Sequence, residues 1–236
     1  SSSSGSLHRS STLSTKQTSS GTSKGKARTH SAAMESVTKV GYTARSPAVS
    51  PDGTRLAFAR ADGLTDPQIR LSAPDGSASH TLARTNQASH FTWLPDGTLV
   101  FAQPDKVDPY RERNDLYRVD QAGEVTRLTT RARLDHPAAA PDGGSVFAIR
   151  YESGTTVLVR VDLGSDSVSP LVAADPDVHW AFPVPSPDGR WLAAARWRRG
   201  RSFDLVLLDA VSGRLLHEVT DDRAVDLSPA WSPDGQ

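Results

Sequence analysis

Apolar side chains arrive along most of this chain in short, recurring blocks. Four blocks read Leu56-Ala57-Phe58-Ala59, Leu99-Val100-Phe101-Ala102, Val146-Phe147-Ala148-Ile149 and Leu192-Ala193-Ala194-Ala195. Four apolar residues in a row, rather than strict alternation, predict strands covered on both faces. Bulk shifts between neighbouring positions: Ala57-Phe58 in the first block becomes Phe101-Ala102 and Phe147-Ala148 in the next two. Stacked sheets need such trading to keep a constant gap. A second set of strands follows, at Gln68–Leu71, Asp115–Val119, Thr156–Val161 and Leu205–Leu208. Each is followed by a glycine turn (Asp75-Gly76, Ala122-Gly123, Leu163-Gly164, Ser212-Gly213) and then a more polar strand such as Val125–Leu128 or Leu215–Val219.

The punctuation between blocks is as regular as the blocks. Pro-Asp-Gly occurs with its aspartate at Asp52, Asp96, Asp142, Asp188 and Asp234, at spacings of 44, 46, 46 and 46 residues. A sixth copy, at Asp75, is out of phase and reads as the same turn chemistry reused at the third turn of its repeat. Proline presets φ for the second position of a type I turn, aspartate suits the third, and glycine takes the left-handed position after it. Each in-phase copy therefore predicts a tight hairpin with a bulge. Four short strands per repeat of about 46 residues make a propeller blade. A β-solenoid is the rival, but its shorter coils need no tight hairpin at every turn. The fold expected is all-β: a β-propeller of four-stranded antiparallel blades.

Ser-Pro-Asp-Gly followed by an apolar run resembles the WD-like repeat of TolB-type propellers. It is also similar to repeats in the propellers of prolyl oligopeptidase-type and tricorn-type peptidases. The resemblance covers residues 41–236; Ser50, Ser186 and Ser232 keep the leading serine, while Leu94 and Ala140 replace it. It implies a ring of about six blades, of which four complete and one partial lie here, so the expected domain is a propeller fragment truncated in its fifth blade. Such a fragment cannot close its ring, which predicts exposed edges and a loosely folded or aggregating sample. A sharp two-state melt of a monomer would contradict that. The resemblance further implies a periplasmic or cell-envelope location and a non-catalytic binding role toward a protein or peptide. Its alternative is an accessory gating propeller of a larger peptidase, whose nucleophile or metal would lie in another domain.

Composition adds limits. Lys and Arg number 27, Asp and Glu also 27, so no global charge draws the chain to nucleic acid or anionic lipid. Cysteine is absent, which removes disulfides and thiolate sites. No run approaches the length of a membrane span, and no signal peptide is visible. Residues 1–40 differ from the rest: Ser- and Thr-rich, with six basic side chains against Glu35 alone. They have little to bury and are expected to be a disordered tail or linker. A basic binding arm is the sharper reading, and Met34 is an alternative start.

Catalytic patterns fail on context. Gly21-Thr22-Ser23-Lys24-Gly25 matches a nucleophile elbow, and Ser23 with Lys26 matches S-x-x-K, but no strand precedes either. His217-Glu218 lacks the second histidine of a zinc-peptidase helix. No catalytic residue, metal site or cofactor is expected. The repeat register offers the best candidate site. Six residues before each motif aspartate stand Ser46, His90, His136, Phe182 and Ser228, and the residue before each is Arg45, Ser89, Asp135, Ala181 and Leu227. These positions open the innermost strand, so His90, Asp135 and His136 should meet at one mouth of the axial channel and contact a ligand or partner. The rival reading is turn hydrogen bonding at the blade entrance. Two surface candidates remain: a basic, aromatic hairpin tip (Arg196, Trp197, Arg198, Arg199) and an insertion in the second repeat carrying Tyr110 and Arg111.

Overall fold

The computed structural model describes residues 43–61 and 66–235. The Ser-rich segment, with Ser23, Lys26 and Met34, lies outside them. Among the described residues, sixteen strands form four separate four-stranded antiparallel sheets. The first holds β1 (Thr43–Val49), β2 (Leu56–Ala61), β3 (Gln68–Ser72) and β4 (His80–Arg84). The second holds β5 (Ser89–Trp93), β6 (Leu99–Asp108), β7 (Arg111–Val119) and β8 (Val125–Arg127). The third holds β9 (Leu134–Ala139), β10 (Ser145–Glu152), β11 (Thr155–Asp162) and β12 (Val168–Pro170). The fourth holds β13 (Val178–Pro185), β14 (Trp191–Arg198), β15 (Phe203–Asp209) and β16 (Leu215–Glu218). Strand order within each sheet follows the sequence, so each sheet is a meander and a propeller blade.

The Pro-Asp-Gly turns form as their chemistry dictates. Gly53, Gly97, Gly143, Gly189 and Gly235 all have φ between 70° and 83°. Each donates its amide to the carbonyl three residues back, as Gly53 does to Ser50 at 2.9 Å. Ser50 and Ser186 donate their hydroxyls to Asp52 and Asp188 within the turn. These hydrogen bonds, first the serine and then the backbone amide, hold Asp52 and Asp188 at a pKa of about 2. The turn after β11 departs from expectation. The left-handed residue there is Asp166 (φ 55°), not Gly164. Asp162 Oδ1 accepts from the Gly164 and Ser165 amides and carries the chain through a longer turn.

The apolar blocks of the second and third blades are covered on both faces by the blades on either side, while Leu56 and Phe58 of the first pack with Ala44 and Val49 of their own blade. Ala57, Phe101 and Val119 share a buried layer between the first and second blades. Val100 and Ala102, on the other face of β6, join Leu116, Val146 and Ala148 between the second and third. Phe147 and Ile149 join Leu192 and Ala194 between the third and fourth. An aromatic ring on one sheet thus shares its layer with an alanine of the next sheet, which is the traded bulk seen in the sequence. Indole hydrogen bonds repeat between successive repeats: Trp93 Nε1 donates to Ala48 O of the first blade at 3.0 Å, and Trp231 Nε1, beyond the fourth blade, to Val184 O at 2.9 Å. Residues 228–235 repeat this blade contact and the turn geometry but have no partner strand, so they form no ladder there.

Candidate functional site

Each innermost strand breaks its pairing at one place. Register shifts separate Arg45 from Ala48, Ser89 from Thr92, Asp135 from Ala138 and Ala181 from Val184. Inside these bulges sit Ser46, His90, His136 and Phe182, with φ of 51°, 50°, 50° and 50°; Ser228 repeats it at 56°. Left-handed φ is uncommon outside glycine and costs on the order of 1 kcal/mol or more per residue. A conformation shared by five repeats belongs to the architecture, which re-aims one side chain per blade.

The re-aimed side chains form a ladder across the blades. Ser46 Oγ accepts the His90 amide at 3.2 Å. The His90 ring stacks on His136, with centroids 3.8 Å apart and planes at 24°. His136 meets Phe182 edge-on at 4.7 Å. Asp135 braces the middle rungs. Its Oδ1 accepts from His90 Nδ1 at 2.8 Å and from the His136 amide at 2.8 Å, while Oδ2 accepts from Asn114 Nδ2 at 2.9 Å. The structure therefore brings His90, Asp135 and His136 together from two adjacent blades.

Electrostatics separate the three groups. Burial pushes the Asp135 carboxyl up, but the hydrogen bond and charge of His90, with the His136 amide, outweigh it and leave its pKa below the usual range. Burial, and then the charge of His90, push the His136 imidazole down to about 4 against the opposing pull of Asp135. His136 is thus neutral near pH 7. Its Nδ1 is buried without a hydrogen-bond partner, 3.9 Å from Asp135 Oδ1.

Of the two surface candidates, the one at Tyr110 lies between the middle strands of the second blade, and the basic run does not form the expected tip. The second-blade segment is no looped insertion: β6 and β7 simply run longer and close at a tight turn with Tyr110 95% exposed at its tip. Asp108 closes that turn, accepting from the Tyr110 amide at 2.9 Å and Arg111 Nε at 2.6 Å. The basic tip is largely not a tip. Arg196, Trp197 and Arg198 lie within β14, and Arg196 is only 8% exposed and paired with Glu218. Arg198 lies among Glu218, Asp204 and Asp221, while Arg199 pairs with Asp177 and Arg201 with Asp221. Acids on the neighbouring strands and turns neutralise the arginine run. The partner-surface expectation therefore fails for Arg196, which is inside the blade, and keeps its exposure only at Arg199.

A cavity of about 400 Å³ opens between the third and fourth blades, beside the ladder. His136, Tyr151, His179, Trp180, Trp197 and Phe203 line it. Trp197 meets His179 edge-on at 5.1 Å. Apart from Trp197 and His136, none of these residues carries a sequence signal; the others read as ordinary strand residues until the blades are stacked.

All these features share one end of the blades. The Pro-Asp-Gly turns pack at the opposite end with the β3–β4-type turns, as Leu163 N to Gly144 O and Ala210 N to Arg190 O show. Tyr110, Arg199 and the start of each innermost strand lie at the end joined by Tyr151 N to Arg133 O and Arg199 N to Asp177 O.

No protein-family model matches the sequence, and no curated protein does. Solved structures do match. TolB from Acinetobacter baumannii superposes with a TM-score of 0.69 at 22% identity, over 82% of this chain and 47% of that one. A putative TolB from Agrobacterium tumefaciens gives 0.66 at 24% identity, over 80% and 70%. A puromycin-hydrolyzing peptidase of Mycobacterium tuberculosis gives 0.58 at 17%, over 78% of this chain and 30% of that one. The chain thus spans about half the length of the Acinetobacter protein and has the β-propeller fold of the TolB structures.

Proposed function

We propose that this propeller is a non-catalytic binding module that receives a protein or peptide at the end of the blades where the ladder begins. One observation carries the reading: the histidine ladder, the aromatic cavity and the Tyr110 hairpin tip converge on a single end. Exposed aromatics beside a concave apolar site are the usual anchors of recognition. The opposite end carries Asp-closed turns and a more polar cavity, lined by Asp188, Arg190, Trp231 and Asp234. The likeness to TolB supports a place in the periplasm or cell envelope, and among the described residues no helix is long and apolar enough to cross a membrane.

A photo-crosslinking residue placed at Tyr110, with a second at Glu124 on the opposite end, tests this in the native host. The expected result is a discrete covalent partner from Tyr110 and none from Glu124. Equal labelling from both ends, or from neither, removes the reading.

The match to the puromycin-hydrolyzing peptidase favours a second reading, in which the propeller screens substrates for an adjoining hydrolase. The same crosslink then joins Tyr110 to a substrate peptide, and the parent reading frame carries an α/β domain with a strand-turn-helix nucleophile.

A further inference from the structure

The ladder register does not require histidine. Ser46, Phe182 and Ser228 occupy the same bulge with the same left-handed backbone. The fold therefore leaves the two imidazoles of the middle blades unexplained. They are adjacent, and one atom from each of His90, Asp135 and His136 lies within 4.8 Å of the other two. Asp135 Oδ1 stands 2.8 Å from His90 Nδ1 and 3.9 Å from His136 Nδ1. A tetrahedral ion about 2.0–2.2 Å from nitrogen and oxygen donors holds them roughly 3.3 Å apart. The two separations from Asp135 bracket that value, and side-chain turns that open the stack of His90 on His136 bring all three onto one ion.

The surroundings are those of a ligand set. Asn114 Nδ2 holds Asp135 Oδ2 and the His136 amide holds Oδ1, as outer partners orient metal-binding carboxylates. His136 Nδ1 is buried and makes no hydrogen bond, a cost that an occupant of the cluster would relieve. His90 keeps 39% of its side chain exposed, which leaves a path in from solvent.

We propose that His90, Asp135 and His136 form a binding site for a divalent first-row transition ion, with open coordination positions facing the channel. Two imidazoles and one carboxylate suit Zn²⁺, Co²⁺, Ni²⁺ or Fe²⁺; Ca²⁺ and Mg²⁺ prefer all-oxygen shells. On binding, His90 exchanges its Nδ1 hydrogen bond to Asp135 for the ion, the neutral ring carrying its proton on Nε2. Ligands must be deprotonated to bind, so affinity should fall on acidification. The site lies at the same end as the proposed partner surface but does not rest on a partner binding there.

Cobalt is the direct probe, because Zn²⁺ has no visible spectrum. The full 236-residue chain is stripped with chelator and titrated with Co²⁺ near neutral pH. One equivalent should give ligand-field bands that Zn²⁺ then removes, with a rise in melting temperature under Zn²⁺. His90→Asn and His136→Asn should each weaken Co²⁺ binding about tenfold or more, the loss typical of an impaired metal shell. Asparagine is chosen because it tolerates left-handed φ, and circular dichroism confirms that both variants fold. His80→Asn, at an exposed histidine away from the cluster, should bind as the parent does. Absence of ligand-field bands overturns the proposal. So does Co²⁺ binding that His90→Asn and His136→Asn leave unchanged, or stabilisation by Ca²⁺ equal to that by Zn²⁺.

Discussion

His136 carries its ring in a mostly buried position, against His90, Asp135, Phe182 and the cavity that Tyr151 also lines. A free imidazole titrates near 6.5, and this one is pushed down to about 4. Between those values the unfolded chain binds a proton that the folded chain refuses. Stability is therefore fully present above about pH 6.5 and declines as pH falls toward 4. Asp135, held below the usual carboxylate range, loses its own contribution in the same direction at lower pH. In metal-free protein, melting temperature should drop between pH 7 and pH 5, and the drop should be smaller in His136→Asn. An equal drop in the variant would show that His136 is not the group responsible. The pairing of His90 with His136 is legible in the sequence because a fixed repeat turns position into geometry. The burial of Arg196 is not legible, since its partner Glu218 lies two strands away across the blade and only the sheet register sets them side by side.

At the scale of the element, the turn glycines divide into two kinds that sequence does not distinguish. Gly123 and Gly213 close the turns before the outermost strands of their blades, with φ of 87° and 69°. A Cβ on Gly123 would stand 2.3 Å from Leu82 O, and one on Gly213 would stand 2.1 Å from Leu171 O. Leu82 and Leu171 belong to the preceding blades, so these glycines are where backbone meets backbone across a seam. Gly154 has φ 81° but open space around its missing side chain. Gly154→Ala should then cost about 1 kcal/mol, from the left-handed backbone alone. Gly123→Ala and Gly213→Ala should cost about 3 kcal/mol or more, because a main-chain carbonyl must move as well. Urea midpoints of the three variants check the order, and similar values for all three would mean that the seam yields without strain. The strands and hairpins themselves follow from the apolar blocks and the Pro-Asp-Gly spacing. The turn after β11 does not, because Asp162 captures two following amides and moves the left-handed position on to Asp166.

Among the described residues the three larger core clusters are layers, each made by two neighbouring blades. Phe101 is buried in the layer between the first and second, and Phe147 in the layer between the third and fourth. The layer built on Val100, Leu116, Val146 and Val159 separates them. With sheets about 10 Å apart, these two rings share no neighbour, whereas Phe101 stacks on Tyr117 with centroids 5.9 Å apart in one layer. Stability should then behave as a sum over blades and seams. Phe101→Leu and Phe147→Leu should each destabilise by about 1–2 kcal/mol, and the double variant should lose their sum to within about 0.5 kcal/mol. Phe101→Leu combined with Tyr117→Leu should depart from its sum by about 0.5 kcal/mol or more, because the second change acts on a layer already loosened. Denaturant unfolding of both double-mutant cycles measures the two couplings. A coupling between Phe101 and Phe147 as large as that between Phe101 and Tyr117 would mean that strain passes through the intervening layer, and the blades would then have to be treated as one continuous core.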